Sequence, residues 1–179
     1  HLCIAFIIIS SIFWLINNII SKQDKKIFKF SILNAPYQIL ILLLFSQIIM
    51  GAFVSGLDAG KIYQTWPKMG EDYFPNDIIL NNFRDIFNFN THSLVQFYHR
   101  NLAYFLTGYI IILSIFIFKK KIIHLYKSMI ILLFFLLVQI SLGIFTLTSG
   151  LNIYLASAHQ ITSVLLVFSA INLYYLRTK

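Results

Sequence analysis

Charge is what this chain has least of. Asp, Glu, Lys and Arg make up 11% of its 179 residues, where a soluble domain carries about a quarter. With 59% hydrophobic residues and a mean hydropathy of +0.79, that shortage excludes a soluble globular domain and leaves an integral membrane protein. Cysteine is nearly missing too. Cys3 stands alone, so no intrachain disulfide or cysteine metal site can form, and no redox compartment follows from it.

What is present in quantity is uncharged sequence. Crossing the hydrocarbon core as a helix takes roughly 20 apolar residues, and uncharged runs cover Leu2 to Ser21, Phe30 to Leu57, Asn101 to Phe118 and Ser128 to Leu176. The last run is long enough for two spans. It is interrupted at Thr146-Leu147-Thr148-Ser149-Gly150-Leu151-Asn152, whose Thr, Ser, Gly and Asn residues spell a tight turn. The sequence thus predicts an all-α integral membrane protein of five transmembrane helices, near residues 1–21, 36–57, 94–118, 126–148 and 152–176.

The net charge of +8 raises the question of nucleic acid, but its distribution points to a bilayer instead. Lys22, Lys25, Lys26 and Lys29 follow the first run, Lys119, Lys120, Lys121 and Lys127 the third, and Arg177 and Lys179 the last. Between the second and third runs, Lys61, Lys68 and Arg84 are outnumbered by Asp58, Glu71, Asp72, Asp77 and Asp85. Positive charge on alternate loops marks the cytoplasmic side. The acidic loop over 58–93 is therefore expected outside, residues 22–35 form an inner connector, and the C-terminus lies inside.

The chain opens at His1, without Met or a charged flank, and is read as beginning inside a helix. In that register His1 stands about six turns before Lys22, and His159 about five before Arg177, so the two imidazoles share a similar height. A chance histidine at a chain end fits the same observation. Pro36 suits a first helical turn, where a missing amide hydrogen matters little. The second run carries Gln47, Gly51 and Ser55 four residues apart, a small and polar stripe that admits either a close helix or a flat ligand.

That stripe recurs. Gln47-Ile48-Ile49-Met50-Gly51-Ala52-Phe53 aligns with Gln139-Ile140-Ser141-Leu142-Gly143-Ile144-Phe145, and Ser55-Gly56 with Ser149-Gly150. Each copy is followed by a helix running back with one histidine in its outer part, His99 or His159. The last four helices are thus expected to form an antiparallel four-helix bundle from a repeated helix pair. At about 1.5 Å per residue, His99 lies roughly 8 Å from a helix start near Leu94, and His159 about 10 Å from one near Asn152. Two imidazoles and two glycines should then form one layer.

Ionisable groups inside a membrane are a functional hypothesis by default. Two histidines at one depth, faced by glycines, suit a haem whose iron takes one nitrogen from each ring. Gln96, His99, Ala103 and Thr107 share one face of the third helix, and His159, Thr162, Ser163 and Leu166 one face of the fifth. Arg100, at the water boundary, is placed to pair with a haem propionate. A proton relay or plain interhelical hydrogen bonding explains the same pair, and Arg100 then only anchors its helix. Zinc is disfavoured, because no Cys, Asp or Glu accompanies the histidines at that depth. His124, among the inner lysines, reads as a solvated or headgroup-facing residue, and His92 as a loop residue at most near a ligand edge.

The segment Gly51 to Gly70, GAFVSGLDAGKIYQTWPKMG, together with Val95-Gln96-Phe97-Tyr98-His99-Arg100 and Ala158-His159-Gln160, resembles the haem A synthase family. Those enzymes oxidise the C8 methyl group of haem O to a formyl group for cytochrome oxidase. They are built from two similar four-helix halves, and the likeness covers the second half plus one preceding helix. It implies that residues 36–179 are the C-terminal half, with His99 and His159 as axial ligands of the cofactor haem b. Residues 1–21 would be the last helix of the N-terminal half, with His1 its second histidine, a ligand to substrate haem O. The partner histidine and glutamate of that half have no counterpart here, and Arg84 to His92 departs from the family's shorter acidic-Asn segment.

The resemblance further implies successive hydroxylations of the methyl carbon in the other half, a geminal diol losing water to give the aldehyde, and electron transfer through the haem b half. The portion present should bind haem without making haem A alone. Implied surroundings are lipid of a bacterial plasma membrane or the mitochondrial inner membrane, with haem O synthase and a second copy of the chain as candidate partners and no nucleic acid. A b-type cytochrome carrier and a transporter with a histidine proton relay are the alternatives.

Overall fold

The computed structural model describes residues 1–27, 31–79 and 82–178. Lys29, Phe30 and Lys179 lie outside the described residues. The chain folds into five long helices, α1 Leu2–Ser21, α2 Ala35–Gly56, α3 His92–Lys119, α4 Tyr126–Thr148 and α5 Ile153–Arg177, with short 3-10 turns at Ala59–Lys61, Phe83–Phe87 and Ile123–Leu125. All five helices are long and apolar enough to cross a membrane. No β-strand occurs among the described residues.

Local chemistry sets the ends. Pro36 sits in the first turn of α2, where its missing N–H removes no helix bond. At the α4–α5 junction Gly150 takes φ 74° and Leu151 φ 63°, and the Leu151 amide returns 2.9 Å to the Thr146 carbonyl. That reversal stops α4 as Schellman closures do. Asn152 then caps α5, its Oδ1 accepting from the amides of Tyr154 at 3.0 Å and Leu155 at 3.4 Å. The third helix starts at His92, two residues before the predicted start at residue 94, where Ser93 is held by Asp77 of the preceding loop.

Helices α2, α3, α4 and α5 form a square in which sequence neighbours pack side by side and α5 closes against α2. His99 on α3 and His159 on α5 therefore come from diagonally opposite corners. Helix α1 lies outside the square, against α2 and α5. Its docking uses Phe13 stacked on Phe168 at 4.3 Å and Trp14 packed on Tyr174 and Tyr175.

Packing is uneven along the bundle axis. The closed core consists of Tyr37, Leu40 and Leu44 of α2, Leu106, Ile110, Leu113 and Ile117 of α3, Met129, Leu132 and Leu136 of α4, and Leu166, Val167, Ala170, Ile171 and Leu173 of α5. Every one of these lies on the basic-loop side of the histidines. Ties such as Gln38 Nε2 to the Tyr174 hydroxyl (2.9 Å) and Asn172 Nδ2 to Ser128 Oγ (3.1 Å) lock the same end. Toward the other end, Gln47, Gly51, His99, Ala103, Gln139, Gly143, His159 and Thr162 are only half-buried. Since lipid is as apolar as leucine, helices in a bilayer associate through packing and hydrogen bonds, and here the packing is concentrated away from the histidine layer.

Candidate functional site

The repeat seen in the sequence becomes a repeat of geometry. In the first unit, Gln47 of α2 places its Nε2 3.1 Å from His99 Nδ1 and 3.4 Å from His99 Nε2, and donates to the main-chain oxygen of His99 at 3.1 Å. In the second, Gln139 of α4 places its Nε2 3.3 Å from His159 Nε2 and donates to the His159 oxygen at 3.1 Å. Interhelical hydrogen bonds of this kind contribute about 0.6 kcal/mol on average inside a bilayer. Their larger effect is to fix the height of each imidazole.

One helical turn beyond each glutamine, on the same face, comes a glycine. A Cβ built on Gly51 would stand 3.2 Å from His99 Cε1, and one on Gly143 3.0 Å from His159 Cε1. Each ring therefore occupies space that any other residue would fill.

The units differ in how their polar atoms are used. Gln139 Oε1 accepts from the Thr162 hydroxyl at 2.7 Å, which also lies 2.9 Å from the Ala158 oxygen. Gln47 Oε1 is buried with no hydrogen-bond partner, and so is His159 Nδ1. Buried polar atoms without partners are rare in native proteins and ask for a reason. Two histidines, His159 with a spare buried ring nitrogen, two glycines that leave the rings room, and a half-buried layer inside an otherwise apolar bundle fit a flat, metal-centred group. They do not fit a bare metal ion, for which no cluster of three or more His, Cys, Asp or Glu exists among the described residues.

Arg100 is buried under the loop that follows α2. It is 9% exposed, and its guanidinium donates to the carbonyls of Tyr63 (2.9 Å), Thr65 (2.9 Å) and Lys68 (3.2 Å) in the 58–91 loop. Gln96 joins it through Tyr63 O at 2.8 Å instead of facing the histidines. A buried cation is tolerated where charge-assisted hydrogen bonds surround it, and these draw the loop over the end of α3.

The loop has a second anchor at Asp77, which accepts from the Tyr63 hydroxyl at 2.7 Å and from the Ser93 hydroxyl. Burial opposes the Asp77 carboxylate, yet the bonds from Ser93, Tyr63 and its own backbone outweigh it and hold its pKa below the usual value. The hydrogen bond to the same carboxylate pushes Tyr63 up.

The remaining histidines stay apart from this layer. His1 precedes α1, exposed and without a capping bond from its side chain. His92 is exposed at the first residue of α3, and His124 is exposed in the turn before α4. Sequence reasoning aligned Gln47 with Gln139 but gave them no partner. The signal was there in their position four residues before each glycine, in both copies.

A family model described as cytochrome oxidase assembly protein matches residues 1–171. The chain is 42% identical over 172 residues to heme A synthase of Pelagibacter ubique (strain HTCC1062), covering 94% of this chain and 49% of that protein. It is 35% identical over 183 residues to heme A synthase of Rickettsia africae (strain ESF-5), covering 98% and 52%. Heme A synthase of Maricaulis maris (strain MCS10) is 38% identical over 136 residues, covering 72% and 38%. The chain thus spans about half the length of the curated relatives it matches. No solved structure matches it.

Proposed function

The chain belongs to the cytochrome oxidase assembly protein family, and on that premise we propose that it is the haem b-binding portion of a haem A synthase. His99 and His159 would hold the iron, one ring nitrogen each. The observation that carries this is the twofold recurrence of a glutamine, a glycine and a histidine in one arrangement, at diagonal corners of a half-buried layer. Held by these two imidazoles, haem would supply a one-electron carrier.

The residues divide the remaining work. Gly51 and Gly143 leave the rings their seats, and the closed core beneath excludes water from one side. The loop, drawn in by Arg100 and Gln96, covers the other. Arg100, at the loop end of α3, is the cation nearest in sequence to His99 and is assigned to the propionate edge. Oxidation of the haem O methyl group to the formyl group of haem A is assigned to the other half of the two-part protein. Residues 1–21 form the last helix of that half and His1 is a ligand to substrate haem O. Residues 22–35 are the inner connector, and 36–179 form the haem b half. The protein lies in a bacterial plasma membrane or the mitochondrial inner membrane with its C-terminus on the inner side, and works beside haem O synthase, as a homo-oligomer.

Absorption spectroscopy of the chain purified from membranes tests the site. A low-spin haem spectrum is expected in the wild type and in His124→Ala, and its loss in His99→Ala and in His159→Ala. Full haem retention in either of the last two variants would overturn the ligand assignment, and a wild type without haem would favour a proton relay. Activity is tested in a haem O-accumulating strain that supplies the other half on a second chain. Haem A should appear with the wild type, whereas bound haem without haem A would indicate a plain b-type carrier.

A further inference from the structure

Gln47 and Gln139 have no task in the function described so far, yet they are the two side chains that touch the histidine rings with hydrogen-bonding atoms. We propose that they are positioning residues for the two imidazoles, each fixing the orientation of its ring, with Gln47 also able to accept from the ring nitrogen that iron does not take. This inference rests on the haem reading of His99 and His159.

Three observations support it. The contact occurs twice, in independent copies of the repeat, each time from the position one turn before the glycine that seats the ring. Each amide nitrogen also donates to the main-chain oxygen of its own histidine, at 3.1 Å in both units, so side chain and backbone of the ligand residue are gripped together. Finally, a histidine that gives one nitrogen to a metal needs a partner for the other, and that partner sets ring orientation and ligand basicity. On an iron-bound neutral imidazole that nitrogen carries a hydrogen, which a carboxamide oxygen can accept.

The two glutamines are not equivalent. Thr162, three residues after His159, engages Gln139 Oε1 at 2.7 Å and holds that amide in one orientation. Leu102 stands three residues after His99 and has no hydroxyl to offer, and Gln47 Oε1 is buried without a partner. Gln47 can therefore turn its amide and present an acceptor to a ring N–H, giving up only the 3.1 Å bond from its Nε2 to the His99 oxygen. Gln139 cannot do so without releasing Thr162. His99 is accordingly the ligand whose partner adapts, and His159 the one held rigidly.

The test uses the full chain purified with its haem, comparing Gln47→Leu, Gln139→Leu, Gln47→Glu and Thr162→Val for haem affinity, midpoint potential and low-spin electron paramagnetic resonance. Each Leu variant should lose about 10- to 100-fold in haem affinity, the usual effect of removing such a partner, with an altered low-spin signal in the haem that remains. Gln47→Glu keeps the length and the acceptor. It should restore binding and lower the midpoint potential, because a carboxylate makes the ring more basic. Thr162→Val should change the signal while retaining haem. Wild-type affinity, potential and signal in both Leu variants would overturn the proposal, leaving the glutamines as interhelical ties. If a Leu variant does not fold, an unshifted potential in Gln47→Glu overturns it as well. A wild type that binds no haem removes the haem reading and this proposal together, whereas a haem-loaded wild type with unaffected variants removes this proposal alone.

Discussion

At the scale of single residues, the site is governed by what two glycines lack. With His99 Cε1 3.2 Å from where a Gly51 Cβ would stand, and His159 Cε1 3.0 Å from that of Gly143, a methyl group at either position forces the ring to move. Overpacking of this kind costs about 1 to 3 kcal/mol. Gly51→Ala and Gly143→Ala should therefore both weaken haem retention, the second more than the first, as read from the ratio of haem to protein after purification. Equal, undiminished loading in both would show that the rings sit elsewhere when haem is bound. The glycines and histidines were visible in the sequence because each is unusual where it stands. The glutamines were visible only as an alignment, since a Gln in an apolar helix looks the same whether it faces a ring, a backbone or a headgroup.

Among the elements, the helices were legible and the loop was not. Every helix boundary lies within two residues of the predicted ranges, because a bilayer demands a minimum apolar length and tolerates no unpaired backbone. The 58–91 loop is organised by main-chain carbonyls of Tyr63, Thr65 and Lys68 meeting Arg100, and carbonyls carry no residue signature. The sequence therefore showed Arg100 as a helix-end anchor or propionate partner but gave no sign of its bonds to the loop. The second anchor is sensitive to pH. Asp77 is stabilised as the carboxylate in the folded chain, so its contribution is complete above the unfolded value of 3.8 and is lost as pH falls through the lower folded value. Protease cleavage in the loop should rise below about pH 4, and in Asp77→Asn it should be high at neutral pH and nearly independent of acidification. An identical pH profile in the variant would assign the anchoring to Arg100 alone.

For the whole molecule, orientation follows from charge. Lys119, Lys120 and Lys121 lie at the end of the bundle opposite the acidic loop, and basic loops stay inside. In a Cys3→Ser background, a membrane-impermeant thiol reagent should label Glu71→Cys in intact cells and Lys120→Cys only after permeabilisation. The reverse pattern would invert the assignment of inside and outside. The bundle is also packed more tightly at one end than at the other: leucine, isoleucine and tyrosine side chains close it beside the basic loops, while the imidazole layer under the outer loop stays half-buried. A scaffold clamped at its base can set first and receive a large rigid guest late, beneath a loop that Arg100 and Asp77 hold over the other end. Apoprotein and loaded protein would then share one foundation, and maturation would consist of filling the upper storey.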